Sequence, residues 1–153
     1  MDKIIRLAFG TDHAAAEVRN KIKEYFQSSG YEIEDFGFCG EGSCDYPDYA
    51  FKVAEAVVNK KVDKGVLICG TGIGMSVAAN KVKGVIAAVC WDEDTAKLAA
   101  QHNGANILCL GSRTATLNEL CRRIKIFLET PFEKRHSQRI KKIKEIEKLQ
   151  CRK

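Results

Sequence analysis

Four runs of the chain, at residues 4–9, 66–69, 85–90 and 106–110, lack the polar–apolar alternation of a half-exposed sheet. Continuous runs of this kind belong to parallel strands covered by helices on both faces. Between them lie segments with apolar residues at helical spacing. Val18, Ile22, Tyr25 and Phe26 share a face within residues 14–29, and Phe51, Val53, Ala54, Val57 and Val58 recur within 49–59. Residues 31–36 read as a further strand and 37–47 as a polar loop. Helices are expected at 74–81, 94–102 and 116–129, with Gly30 closing the first helix and Pro131 ending the one at 116–129. Strands alternating with helices predict an α/β fold: a three-layer sandwich around a five-stranded, parallel, doubly wound, Rossmann-like sheet. A last helix at 137–150 falls outside the alternation. A length of 153 residues suits a single domain over 1–153.

Composition narrows the setting. Hydrophobic residues make up 45% of the chain, enough for a buried core. No run of 18 apolar residues occurs and a strand pattern comes directly after Met1, Asp2 and Lys3, so neither a membrane span nor a signal peptide is expected. The 7 cysteines are odd in number, Cys69, Cys90 and Cys109 lie in or at the ends of strand-like runs, and no Cys-x-x-Cys spacing occurs. These features point to a reduced, cytoplasmic protein, with no metal site and no cofactor expected. The net charge of +5 is unevenly spread: residues 134–153 carry nine Lys/Arg against two Asp/Glu, and the remainder sixteen against eighteen. That basic segment could bind nucleic acid. However, it lacks interleaved aromatics, and Ile140, Ile143, Ile146 and Leu149 recur at helical spacing. A docked amphipathic helix fits better, packing on a partner subunit, with no nucleic acid bound.

Chemistry is expected at the strand ends, because open α/β sheets bind ligands outside the carboxyl ends of their strands. Cys69 closes one apolar run and is followed by Gly70, Thr71, Gly72, Ile73 and Gly74. Bare backbone there lets N–H groups approach an anion, beside the start of a helix. The spacing is neither the dinucleotide fingerprint nor a Walker A loop. A lone cysteine after a strand also serves as a small buried hydrophobe. Asp12 and His13 follow the first strand, Arg113 follows the fifth, and His102 and Asn103 follow the helix behind the fourth; these are gathered with Cys69 into one polar edge. Asp12 is equally a helix N-cap. Tyr46, before Pro47, could line a site or simply belong to a turn. Arg135 and Arg139, one helical turn apart with His136 between them, could clamp a phosphate or be solvated.

Five stretches then carry a specific likeness: Gly-Thr-Asp-His-Ala, Asp-Tyr-Pro-Asp-Tyr-Ala, Gly-Val-Leu-Ile-Cys-Gly-Thr-Gly-Ile-Gly-Met-Ser-Val-Ala-Ala-Asn-Lys, Gln-His-Asn-Gly-Ala-Asn-Ile-Leu-Cys-Leu-Gly-Ser-Arg and Arg-His-Ser-Gln-Arg. In this order they resemble type B ribose-5-phosphate isomerase, in the family that includes galactose-6-phosphate isomerase. The likeness runs from residue 4 to about 149. It implies a Rossmann-like sandwich, a homodimer or dimer of dimers with shared active sites, a sugar-phosphate substrate, no metal, and interconversion of ribose 5-phosphate and ribulose 5-phosphate in the pentose phosphate pathway. Cys69 matches the family's proton-abstracting base and His102 its ring-opening acid. Asp12, His13, Asn103 and Arg113 match substrate contacts, Gly70 to Gly74 the anion cradle, and Arg135 and Arg139 the phosphate-binding arginines. Three departures stand out: Ala15 replaces the usual glycine, the usual Glu-Gly-Gly-Arg-His is shortened to Glu-Lys-Arg-His, and the tail after Gln150 has no assigned counterpart.

The implied chemistry is proton transfer through an enediolate. An imidazole suits ring opening at neutral pH, a thiolate suits abstraction at C2, and backbone N–H groups suit the developing oxyanion. Competing expectations are a six-carbon sugar phosphate (allose or galactose 6-phosphate) as substrate, or a nucleotide-binding domain without chemistry.

Overall fold

The computed structural model describes residues 4–37 and 40–150. Its strands are β1 (Arg6–Thr11), β2 (Glu32–Asp35), β3 (Lys64–Cys69), β4 (Ala87–Val89) and β5 (Ile107–Gly111). Its helices are α1 (Ala16–Ser28), α2 (Tyr46–Val58), α3 (Ile73–Ala79), α4 (Glu93–Gln101), α5 (Leu117–Glu129) and α6 (Ser137–Gln150), with 3-10 turns at His13–Ala15 and Lys134–His136. All strand pairs are parallel and the order is β2-β1-β3-β5-β4.

Alternate residues of the central strands feed two cores. Leu7, Phe9, Val66, Ile68, Leu108 and Leu110 face α1, α4 and α5. Ala8, Leu67, Cys69, Ile107 and Cys109 face α2 and α3. The continuous apolar runs of β1, β3 and β5 are thus explained by cover on both faces. Strand β4 departs from that expectation: it is only three residues long, half-buried, and lies at the sheet edge, where one side has no neighbouring strand.

Local chemistry sets the element ends. The first helical segment is broken because Asp12 caps a 3-10 turn before α1 begins. Helix α2 starts three residues before the expected Tyr49, since Pro47 fits a first turn, where its missing N–H costs nothing. Capping boxes at Asp92 with Thr95, and at Thr116 with Glu119, start α4 and α5. Helix α6 matches the expected span but buries no residue: Ile143, Ile146 and Leu149 stand 44%, 60% and 63% exposed. Its Glu147 carboxylate accepts from the Gly84 N–H at 2.7 Å, just ahead of β4. No helix among the described residues is long and apolar enough to cross a membrane.

Candidate active site

Strand order reverses between β1 and β3, and the crevice at such a switch point is where open α/β sheets take ligands. Here the Asp12 N–H, just beyond β1, donates to the Ile68 carbonyl at 3.3 Å. The Asp12 carboxylate, 5% exposed, accepts from the Ala14 N–H at 2.9 Å, so its capping role is realised. His13 is exposed, and its Nδ1 accepts from the Cys44 N–H at 3.2 Å. Cys44, 31 residues away in the loop before α2, carries no sequence signal that would have singled it out.

Cys69 is 5% exposed at the end of β3. The Gly72 N–H donates to its Sγ at 3.1 Å, fixing the sulfur against the turn beyond the strand. Gly72 has φ +80°, and a Cβ there would lie 2.9 Å from the Leu110 backbone, so only glycine fits this close pass. The loop after β5 is tied to the same turn: Ser112 N–H donates to the Cys69 carbonyl at 2.8 Å and Arg113 N–H to the Gly70 carbonyl at 3.0 Å. Gly70 and Gly74 serve packing as well as access. A Cβ on Gly70 would sit 3.1 Å from the Arg113 guanidinium, and one on Gly74 would sit 2.5 Å from the Tyr46 ring. These two glycines therefore bring Arg113 and Tyr46, distant in sequence, against the turn. Thr71 is exposed and its Oγ1 accepts from the Ile73 N–H at 3.3 Å, while Ile73 projects outward, 59% exposed.

Three other thiols are poor bases. Burial pushes Cys90 up to about 11 and Cys109 well above the ordinary thiol value, and it raises Cys121 as well. All three are held as thiols at neutral pH.

The remaining candidates do not join this edge. Helix α4 runs back from the carboxyl ends of the strands, so His102 and Asn103 at its far end lie by the amino-terminal edge, ahead of β5. The single polar edge expected from the sequence is corrected here: in a β-α unit, the helix returns the chain to the edge where the strand began. At roughly 3.3 Å per residue, the six residues of β3 span a distance longer than any five- or six-carbon sugar phosphate.

Around His102 a second polar group forms. The Glu133 N–H donates to the Gln101 carbonyl at 2.8 Å, and Gln101 Nε2 donates to Glu133 Oε1 at 2.6 Å. This double link docks the 3-10 turn on the end of α4. His136 is thereby buried, its ring centroid 4.3 Å from that of His102. Arg135 Nε donates to Glu133 Oε2 at 2.5 Å while its side chain stays 68% exposed. Arg139 is exposed in the first turn of α6. Burial first, then the Arg135, His102 and Arg139 charges, pull the His136 imidazole below its ordinary value, against an opposing pull from Glu133. The Arg135 hydrogen bond foremost holds Glu133 low. Glu133 and Gln101 carry no role in the sequence reading; the spacing Glu133-x-Arg135-His136 is the available signal, since it puts a carboxylate within one turn of a guanidinium and an imidazole.

His102, Glu133 and His136 offer ligand atoms within 4.8 Å of one another, as a metal site would. But both Glu133 oxygens are engaged by Gln101 and Arg135, and two guanidinium groups flank the trio. That environment suits an anion better than a cation. Among the described residues, no hydrogen bond, ion pair or ring contact joins the Cys69 group to the His102 group.

Comparison with known proteins bears on this arrangement. The ribose/galactose isomerase family profile matches residues 7–143. The chain is 41% identical over 143 residues to ribose-5-phosphate isomerase B of Escherichia coli, covering 93% of this chain and 96% of that protein. Its structure is similar to that of Clostridium thermocellum ribose-5-phosphate isomerase B, with TM-score 0.92, 43% identity, and 95% and 99% of the two chains covered. It is also similar to the Mycoplasma genitalium ribose-5-phosphate isomerase B solved with bound ribulose-5-phosphate, with TM-score 0.88, 42% identity, and 94% and 96% covered.

Proposed function

The chain belongs to the ribose/galactose isomerase family and is an isomerase, and from that premise we propose that it interconverts D-ribose 5-phosphate and D-ribulose 5-phosphate. We propose further that residues 1–153 act as one isomerase domain in the cytoplasm, in a homodimer or dimer of dimers whose active sites are shared.

The observation that carries the shared site is the separation of the two polar groups. Cys69 lies at the carboxyl edge of the sheet and His102 at the amino edge. One substrate cannot touch both within one chain, but a second copy can bring its amino edge to the first copy's carboxyl edge. Uncovered apolar side chains support such a contact: Phe51, Ile73 and Val77 are 51%, 59% and 57% exposed on or beside α2 and α3, and the α6 stripe is also uncovered.

In this reading His102 of the neighbouring subunit transfers the proton that opens the sugar ring. Cys69 takes the C2 proton of the open aldehyde as a thiolate and returns it to C1, while the O2 hydroxyl proton passes to O1, so that C2 becomes the ketose carbonyl. The enediolate charge meets backbone N–H groups of residues 70–74, where losing one donor typically costs on the order of 10²–10³ in rate. Asp12, His13, Tyr46 and Asn103 orient the hydroxyls. Arg113, Arg135 and Arg139 hold the phosphate, whose binding energy positions the reacting carbons.

Subunit mixing tests the shared site. Cys69→Ala and His102→Ala are each expected to be inactive. Mixed in equal amounts after dissociation and reassembly, they should regain activity in about a quarter of the sites, because half the symmetric dimers carry one intact site of two. No recovery would show that each chain holds its own site. Steady-state rates on ribose 5-phosphate, allose 6-phosphate and galactose 6-phosphate test the five-carbon assignment, with ribose 5-phosphate expected to be fastest.

A further inference from the structure

His136 Nε2 is buried, has no hydrogen-bond partner, and lies 3.7 Å from Glu133 Oε2. That oxygen is taken by Arg135, whose guanidinium is otherwise largely exposed. One carboxylate oxygen thus lies near two side-chain nitrogens and bonds only the outer one. The inner nitrogen is left without a partner, a costly state for a buried polar atom. The other oxygen, Oε1, is anchored by Gln101, so the carboxylate cannot leave; it can only turn slightly between its two neighbours.

Resting on the reading that Arg135 holds the substrate phosphate, we propose that Glu133 is a positioning residue whose carboxylate changes partner when substrate binds. In the free protein Oε2 holds Arg135 in place of the phosphate. When phosphate takes the guanidinium, Oε2 is released and accepts from His136 Nε2. His136 lies against His102, so capture of the phosphate braces the ring that opens the sugar. The exchange needs no large motion and leaves every buried polar group of the cluster partnered.

The groups facing His136 are His102 from α4, Glu133 and Arg135 from the segment before α6, and Arg139 from α6. All but Glu133 are cationic or neutral. Glu133 is therefore the one group of this set that can favour a charged His136 once Arg135 has left it.

Glu133→Gln separates this role from a structural one. Glutamine keeps an oxygen for Gln101 but cannot hold Arg135 as an ion pair. Calorimetry with inorganic phosphate should give a Kd about two- to fivefold lower than wild type, the equivalent of releasing an exposed ion pair. Meanwhile kcat on ribose 5-phosphate should fall roughly tenfold, because the histidine pair loses its brace. A merely structural role would lower kcat too but move phosphate affinity the other way, because a loosened turn weakens phosphate binding. Weaker or unchanged phosphate binding in this variant overturns the proposal. A second measurement uses the intact wild-type protein: saturating inorganic phosphate should raise the His136 titration midpoint seen by NMR, and an unmoved midpoint overturns the proposal. In Glu133→Gln that rise should be smaller. Arg135→Ala distinguishes the two levels. If it leaves phosphate affinity unchanged, the phosphate role of Arg135 fails and the exchange with it. If it weakens phosphate while Glu133→Gln does not tighten it, the exchange alone fails.

Discussion

Cys69 and the two arginines contribute through different physics, and single substitutions separate them. The thiol is small, and its one described side-chain bond is accepted from Gly72. Cys69→Ala should therefore fold normally and keep its affinity for inorganic phosphate while isomerisation falls by on the order of 10²–10⁴, the range for losing a positioned proton-transfer group. Calorimetry beside a turnover assay checks this, and turnover near wild type would remove Cys69 from the mechanism. Arg139 has no described ion pair, whereas Arg135 is already paired with Glu133. Both Arg→Ala changes should raise KM for ribose 5-phosphate, Arg139→Ala by about tenfold or more, as for hydrogen bonds to charged groups. Arg135→Ala should raise it less, because its gain on meeting phosphate is offset by the partner it gives up. The binding of a sugar lacking the phosphate should be indifferent to both.

Helix α6 is the element whose pattern exceeds what its own chain uses. Its stripe of Ile140, Ile143, Ile146 and Leu149 is regular, yet none of these residues is buried. A helix with little tertiary contact is marginal on propensity alone, so a stripe left bare is an incentive to dock on a second copy. Arg139 lies on the same helix and Arg135 just ahead of it, which would couple docking to phosphate binding. Ile143→Glu combined with Ile146→Glu should yield monomers by light scattering, with little isomerase activity. Truncation after Gln150 should do neither, although residues 151–153 lie outside the described part of the chain. A fully active monomer from the double variant would show that the stripe has no partner to lose.

For the molecule as a whole, acid should act in two stages. The His136 imidazole is held below its ordinary 6.5, with burial the leading cause. The unfolded chain therefore binds this proton first, and stability falls as pH drops from about 6.5 towards the lower folded value. Asp35 acts later. Burial alone would raise its carboxyl, but hydrogen bonds from Arg19, the Gly37 N–H and Lys23 outweigh that and hold it below 3.8. Its contribution is present above 3.8 and is lost as pH falls through the folded value. Thermal unfolding monitored from pH 7 downward should show a decline beginning near pH 6.5 and a second below 3.8. Asp35→Asn should lower Tm at neutral pH and weaken the second stage only, since Glu133 is also held low and keeps part of it. A single decline that the substitution leaves unchanged would contradict the assignment.

The alternation of apolar runs with helical periods determined the layers, the parallel strands and the place of Cys69 and its glycines at a strand end, because these are local patterns with one way to bury themselves. Sequence order also located Arg135 and Arg139 on one helical turn. What it did not determine is which strand ends adjoin and which edge each residue occupies. That β4 lies at the edge, that Gly70 and Gly74 hold Arg113 and Tyr46, and that Glu133 stands between Arg135 and His136 depend on contacts between residues far apart in sequence or on the conformation of one short turn. The opposition of Cys69 and His102 is the clearest case. Both are legible as chemistry-bearing residues, but only the reversal of direction through α4 puts them at opposite edges of the sheet, and so makes a second subunit part of the proposed site.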